Sequence, residues 1–419
     1  MRQFRKLREF RCLILALLSW VALINATNVA AQATPEPTAK VVSTISATTP
    51  PAPPSADQPA QAEKEKPVEK PKNIALILPL ASKSLGKAAE SVRAGFVAAA
   101  AVNGRDKFTH QIYLAEDEGA SLAALYRKAA KEGAVAVVAG LTRDGAAVVA
   151  NESGYLPTLA LNTPADLARA DVGNFFHISL AIDHDARQIA RAAFRENFRS
   201  VVVIANNAAL PKRIQDAFEK EWTRLGGAVV TRIVFSGELA DGPKVKTAME
   251  KPDAAKADVA FIAADLAAAR IARPYLPQGL AVFATAQSFD PSAGAVENLD
   301  MDSVKYLEMP WFAERDHAAV MSYPRSAEGT PVDYERLYAL GIDAWRVMLA
   351  LLQDSAEKNT DITTGNTGNA GIRIERSKRS FAPIDGVTGR ISLDGNQFVR
   401  SLPLLEMRDG RPQLVKAAE

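Results

Sequence analysis

Cysteine is nearly absent: Cys12 is the only one in 419 residues. A disulfide framework and a cysteine-rich zinc site are therefore excluded. Histidine is also scarce, and of the four, His110 and His317 show no ligand spacing. The chain lacks a P-loop, a G-x-G-x-x-G turn after a strand and a G-x-S-x-G elbow, so nucleotide binding and serine hydrolysis of the familiar kinds have no motif to rest on. The one conspicuous apolar run, "CLILALLSWVALI", is shorter than the ~20 residues a membrane-spanning helix needs.

That run has a clear context. Arg2, Arg5, Lys6, Arg8 and Arg11 precede it and the small-x-small site Ala31–Ala33 follows, the order of a secretory signal, so residues 1–33 are expected to be cleaved. Removing five basic groups and Glu9 from totals of 50 and 48 leaves 45 basic against 47 acidic groups. The basic balance belongs partly to the export signal and gives no reason to expect nucleic acid. Cys12 precedes the apolar run, whereas a lipidated cysteine follows it. The expectation is an exported periplasmic protein with no lipid anchor.

Residues 34–71 hold nine of the 24 prolines and almost no large apolar side chains. Such a segment cannot bury enough surface to offset its ordering entropy and is expected to be a disordered linker with polyproline II character.

From residue 72 the pattern changes. Continuous apolar runs ("NIALILPL", "AVAVVAG", "LPTLALN") alternate with amphipathic stretches, which predicts parallel strands covered by helices on both faces. A second series of the same kind ("SVVVIAN", "DVAFIAA", "LAVFAT") starts after "NFFHISL". The fold class expected is α/β: two doubly wound lobes joined by three crossovers. Lobe 1 is expected at about 72–180 and 306–375, lobe 2 at about 181–305 and 376–419. Near the end, "GVTGRISLDGN" places Gly386, Gly389 and Gly395 among short apolar runs. Asp394-Gly395 reads as a hairpin turn, and Gly386 and Gly389 as the bend of the last crossover.

In order along the chain, "IALILPLASKSLGKAAESVRAGFVAA", "PTLALNTP", "FFHISLAIDHDARQIARAA", "EMPWF", "RLYALGIDAWRV" and "GVTGRISLD" resemble the C-terminal domain of the LppC family. The resemblance runs from about Asn73 to the end. It implies a type I periplasmic-binding-protein-like fold and a non-enzymatic envelope protein that binds a bifunctional penicillin-binding protein and stimulates peptidoglycan cross-linking. No cofactor is implied. Members with that role are lipoproteins carrying an N-terminal helical-repeat domain, where this chain has its Pro-rich segment. The alternative of the same fold is a solute-binding protein that captures a small polar metabolite such as an amino acid for a transporter.

Candidate site residues follow from both readings. In open α/β sheets ligands sit beyond the carboxyl ends of strands, at helix N-termini. There Ser82, Ser84, Thr142, Asn162 and Thr163 are placed to hydrogen-bond a ligand carboxylate and Asp265 to pair with an ammonium. The same residues suit helix caps and strand ends. For a protein partner, Trp311, Phe312, Tyr323 and Tyr334 flank an aperiodic stretch and are hot-spot residue types, with crossover packing as the competing role. Ser84 and Lys87 form an S-x-x-K pattern without the S-D-N and K-T-G elements that penicillin-interacting enzymes add. His177, Asp183, His184 and Asp185 have metal-ligand composition, but Asp183 fits an N-cap and Asp185 the first turn of a helix.

Overall fold

The computed structural model describes residues 71–415 apart from 105, 155, 167–172 and 359–380. The expected signal and nearly all of the linker lie outside the described residues.

In the first lobe, strands β1 (Lys72–Leu78), β2 (Phe108–Leu114), β3 (Ala136–Ala139), β4 (Thr158–Ala160) and β5 (Phe175–Ile178) pair in parallel. Helices α1 (Gly86–Val102), α2 (Ala120–Lys131) and α3 (Arg143–Glu152) connect the first four. β3, β4 and β5 are buried at every position, as strands covered on both faces must be, while the edge strand β2 alternates.

The chain then enters the second lobe with α4 (Ile182–Arg195), β6 (Ser200–Asn206), α5 (Ala209–Arg224) and β7 (Ala228–Phe235). It continues through α6 (Gly242–Met249), β8 (Val259–Ala263), α7 (Leu266–Ala272), β9 (Ala281–Ala284) and β10 (Val304–Leu307). After β10 it returns to the first lobe. Short helices α8 (Pro310–Ala313) and α9 (Ala318–Met321) lead into the long α10 (Val332–Lys358), which packs on α1.

The C-terminal meander divides between the lobes. β11 (Ile384–Asp385), β12 (Arg390–Asp394) and β13 (Gln397–Ser401) extend the first sheet, giving the order β11-β12-β13-β5-β4-β3-β1-β2. Only β14 (Leu404–Arg408) and β15 (Arg411–Leu414) join the second, in the order β15-β14-β10-β9-β8-β6-β7. This corrects the expectation that everything after residue 376 belongs to lobe 2, and β10 likewise lies in the second sheet. The reason is packing: Phe398 and Ile391 enter the first core, where Phe398 meets Phe176 and Phe381 with ring centroids 6.0 and 5.0 Å apart.

The last crossover is accordingly Leu402–Pro403, between β13 and β14, and not the glycine turn. Gly386 to Gly389 form a bend inside the first lobe, with φ of +136° at Gly389, a conformation L side chains avoid. The fully buried Asp343 of α10 organises that bend. Its carboxylate accepts from Val387 N (3.1 Å), Thr388 N (2.7 Å) and Thr388 Oγ1 (2.6 Å).

Candidate functional site: the cleft between the lobes

The carboxyl ends of both sets of strands face one cleft, where a cavity of about 460 Å³ opens. Its floor is the three crossovers, and their side chains are tied together. Arg400, 2% exposed, donates through Nε to Ser179 O (3.0 Å), through Nη1 to Thr388 O (2.9 Å) and through Nη2 to Asp185 (3.2 Å). One guanidinium thus joins β13, the first crossover and the start of α4. Arg336 of α10 grips Glu308 at the second crossover with two parallel bonds of 2.7 Å. Gln188 Oε1 accepts from Leu402 N (3.2 Å) at the third.

Electrostatics follow from this crowding. Burial pushes Asp185 up to about 6 even though Arg400 and Arg336 pull the other way. His184, whose Nε2 lies 3.2 Å from Arg400 O, is depressed to about 4 by burial first and the neighbouring arginines second, so it is neutral at pH 7. His177 is also lowered to about 4 by burial. Asp183 does not cap its helix: α4 starts at Ile182 with Ala181 as a cap that makes no side-chain bond, and Asp183 instead receives two hydrogen bonds from Arg213 (2.9 and 3.0 Å). No cluster of three or more potential metal ligands occurs among the described residues.

Of the cleft candidates, Asn162 and Thr163 border the cavity. Asn162 donates to Leu141 O (3.0 Å) and accepts from Thr163 N (2.9 Å), and the Thr163 hydroxyl lies 3.3 Å from Ser179 Oγ. Thr142 is committed elsewhere: its hydroxyl caps α3 through Gly145 N (3.0 Å) and donates to Glu118, which also accepts from Leu141 N. Asp265 caps α7 through Ala268 N (2.9 Å) and accepts from Asn206. Ser82 and Ser84 sit 3.4 Å apart in the loop before α1, with Lys87 exposed in the first turn. None of these four borders the cavity.

The aromatic candidates separate in the same way. Trp311 is fully buried under Arg325, whose guanidinium lies 4.2 Å from the ring centroid. Tyr323, 7% exposed, donates to Asn103 Oδ1 (2.7 Å). Both are core residues and unavailable to a partner. Phe312 is half-buried beneath Arg336. Tyr334 is half-buried in a separate open groove with Leu80, Lys87, Ile112 and Leu114.

Sequence reasoning passed over the arginines. Arg143, Arg187, Arg213, Arg336 and Arg400 all border the cavity. One signal was available for Arg143, a cation at the first residue of a helix, where the macrodipole disfavours it.

Two doubly wound lobes, three crossovers and a cleft at the carboxyl ends of the strands define a type I periplasmic-binding-protein-like molecule. The family model described as "LppC putative lipoprotein" matches residues 15–378, and the chain belongs to that family. Among curated relatives, the "Penicillin-binding protein activator LpoA" of Enterobacter sp. (strain 638) is 25% identical over 278 residues, covering 57% of this chain and 38% of that protein. The chain thus spans well under half the length of the curated relatives it matches. Among solved structures, the C-domain of Haemophilus influenzae LpoA, described as "a regulator of PBP1A", superposes with a TM-score of 0.64 at 18% identity, covering 82% of this chain and all of that one. A Chromobacterium violaceum structure described as "a putative branched-chain amino acid ABC transporter" gives a TM-score of 0.63 at 30% identity, over 80% of this chain and all of that one.

Proposed function

We propose that this protein acts by binding, without catalysis of its own, and that its target is a bifunctional penicillin-binding protein whose cross-linking activity it stimulates. The observation that carries this reading is membership of the LppC family together with curated relatives named as activators of such synthases. The groove beside Tyr334 is a surface where an aromatic contact remains reachable. We further propose that the protein is exported, since a basic segment, an apolar run and a small-x-small site follow one another in residues 1–33. Among the described residues no helix is long and apolar enough to cross a membrane.

The test is biolayer interferometry of the chain from Thr34 onward against purified bifunctional synthases, with a cross-linking assay on the same samples. Saturable binding with faster cross-linking supports the activator reading. Absence of binding at about 100 μM, a level weaker than ordinary specific complexes, sinks it for those synthases.

A second reading, capture of a small polar ligand, is favoured by the 30% identity to the Chromobacterium violaceum protein over that protein's whole length and by the open cleft. Ligand-induced thermal stabilisation distinguishes the two, because a ligand that binds only the folded state raises its stability by mass action.

A further inference from the structure

Charge in the cleft is unevenly answered. Three of its five arginines have carboxylate partners: Arg213 has Asp183, Arg336 has Glu308 and Arg400 has Asp185. The guanidinium groups of Arg143, on the first lobe, and Arg187, on the second, have no hydrogen-bond or ion-pair partner among the described residues. Both acidic side chains that border the cavity are thereby used, and His184 is neutral at pH 7. Among the described residues, Arg143 and Arg187 are thus the two cations of the cavity without an ion pair, one on each lobe.

A second feature points the same way. Thr285, at the cavity border after β9, is 1% exposed, and its Oγ1 is buried with no partner. The Nε of Arg336 is buried and unpartnered as well. Buried polar atoms left unsatisfied are costly, and two at one cavity mark a place where a ligand's oxygens would be stabilising. The lining of the cavity also includes apolar side chains, among them Leu180, Ile182, Leu210 and Met309. A volume of about 460 Å³ lies in the range of small-molecule sites.

We propose that the cleft binds a small aliphatic dicarboxylate, with Arg143 and Arg187 each taking one carboxylate and the Thr285 hydroxyl donating to the ligand. One cation on each lobe suits a ligand with two anionic ends, and the apolar side chains in the same lining suit a carbon spacer. An α-amino acid fits poorly, because among the described residues its ammonium would find no carboxylate at the cavity that is not already paired. A ligand held from both walls interacts better with the closed than with the open arrangement of the lobes, so binding favours closure. This inference sharpens the ligand-capture reading and is independent of any synthase partner.

The test is isothermal titration of the chain from Thr34 to Glu419 at low ionic strength with succinate, glutarate and adipate, and with leucine and inorganic phosphate as comparisons. Expected is saturable binding of at least one dicarboxylate, weakened about tenfold or more in Arg143→Gln and in Arg187→Gln, the size of a lost charge-assisted contact, and less in Thr285→Val. Arg143 is exposed and Arg187 half-buried, so both variants should fold, and an unchanged melting temperature without ligand verifies it. Three results overturn the proposal: no saturation by any dicarboxylate at about 10 mM, equal binding in the Arg143→Gln/Arg187→Gln double variant, or binding of leucine or phosphate with the dicarboxylates inert. Leucine binding alone would leave ligand capture standing while removing this ligand class.

Discussion

Each lobe has a helix pair packed beside its sheet, and the two pairs are joined by different means. In the first lobe α1 and α10 meet backbone to backbone. A Cβ added at Gly95 would collide with the carbonyl oxygen of Tyr338, and one at Gly341 with that of Val92. Beside this seam Trp345 packs edge-on to Phe96, centroids 5.1 Å apart, and donates to Asn103 O (3.1 Å). In the second lobe α4 and α5 are joined by side chains. Phe194 of α4 meets Trp222 of α5 edge-on with centroids 5.9 Å apart, and the buried Glu221 of α5 accepts from Arg191 of α4 (2.6 Å) as well as from Arg224 of its own helix (2.7 Å). A seam of backbone contacts tolerates no added atom, whereas a seam of side chains can be weakened in steps and by pH.

The largest effect is expected from Gly95→Val or Gly341→Val, because the colliding atoms are backbone and cannot rotate away. Either should cost about 4 kcal/mol or more, or prevent folding, in denaturant titrations; a loss under about 1 kcal/mol would show that the helices can separate cheaply. Trp222→Ala comes next, at about 3–5 kcal/mol, since it removes a fully buried aromatic and its bond to Ala228 O. The outcome against a side-chain seam is a cost no greater than that of an exposed substitution.

Arg400→Met tests what joins the lobes. It removes the three bonds from one guanidinium and should cost on the order of 2–4 kcal/mol. Calorimetry should resolve two unfolding steps where the wild type shows one, and a single unshifted transition would contradict a tying role.

The smallest effect is electrostatic. Arg224 first and Arg191 second hold Glu221 at about 2, below its ordinary 4.5. A carboxylate lowered in the folded state contributes stability that is present above about pH 4.5 and lost as pH falls toward 2. Because the arginines are 39% and 63% exposed, the contribution should be about 1 kcal/mol. Glu221→Gln should therefore flatten the fall in melting temperature between about pH 5 and pH 3. An unchanged slope would assign the acid sensitivity to other groups.

Much of this architecture was legible because fully covered parallel strands read as unbroken apolar runs. "AVVA" and "VAFIA" are buried throughout and could be little else. The hairpin at Asp394-Gly395 was legible too, with Asp394 opposite Gln397. Its destination was not. β13 joins the first sheet through only two paired positions, Gln397 with His177 and Phe398 with Ile178, and the choice rests on Phe398 and Arg400 finding partners more than 200 residues away. Local sequence sets which strands turn back on each other, but not which sheet receives them. The cleft shows the same division: Thr142 and Asp265 are caps that adjacent residues imply, while Arg187 stands out only once the lobes are assembled and it is left without an ion pair among the described residues.

The two-residue crossover at Leu402–Pro403 governs the order in which the molecule can be completed. β5 waits for β13, so the first sheet is finished only when residue 401 is available, and the second only after β14 pairs with β10. The two sheets therefore receive their last partners within a few residues of each other, and a chain that stops before Ile384 leaves β5 and β10 without them. Loop closure over such separations is slow, which couples both lobes to the last thirty or so residues as a single folding event.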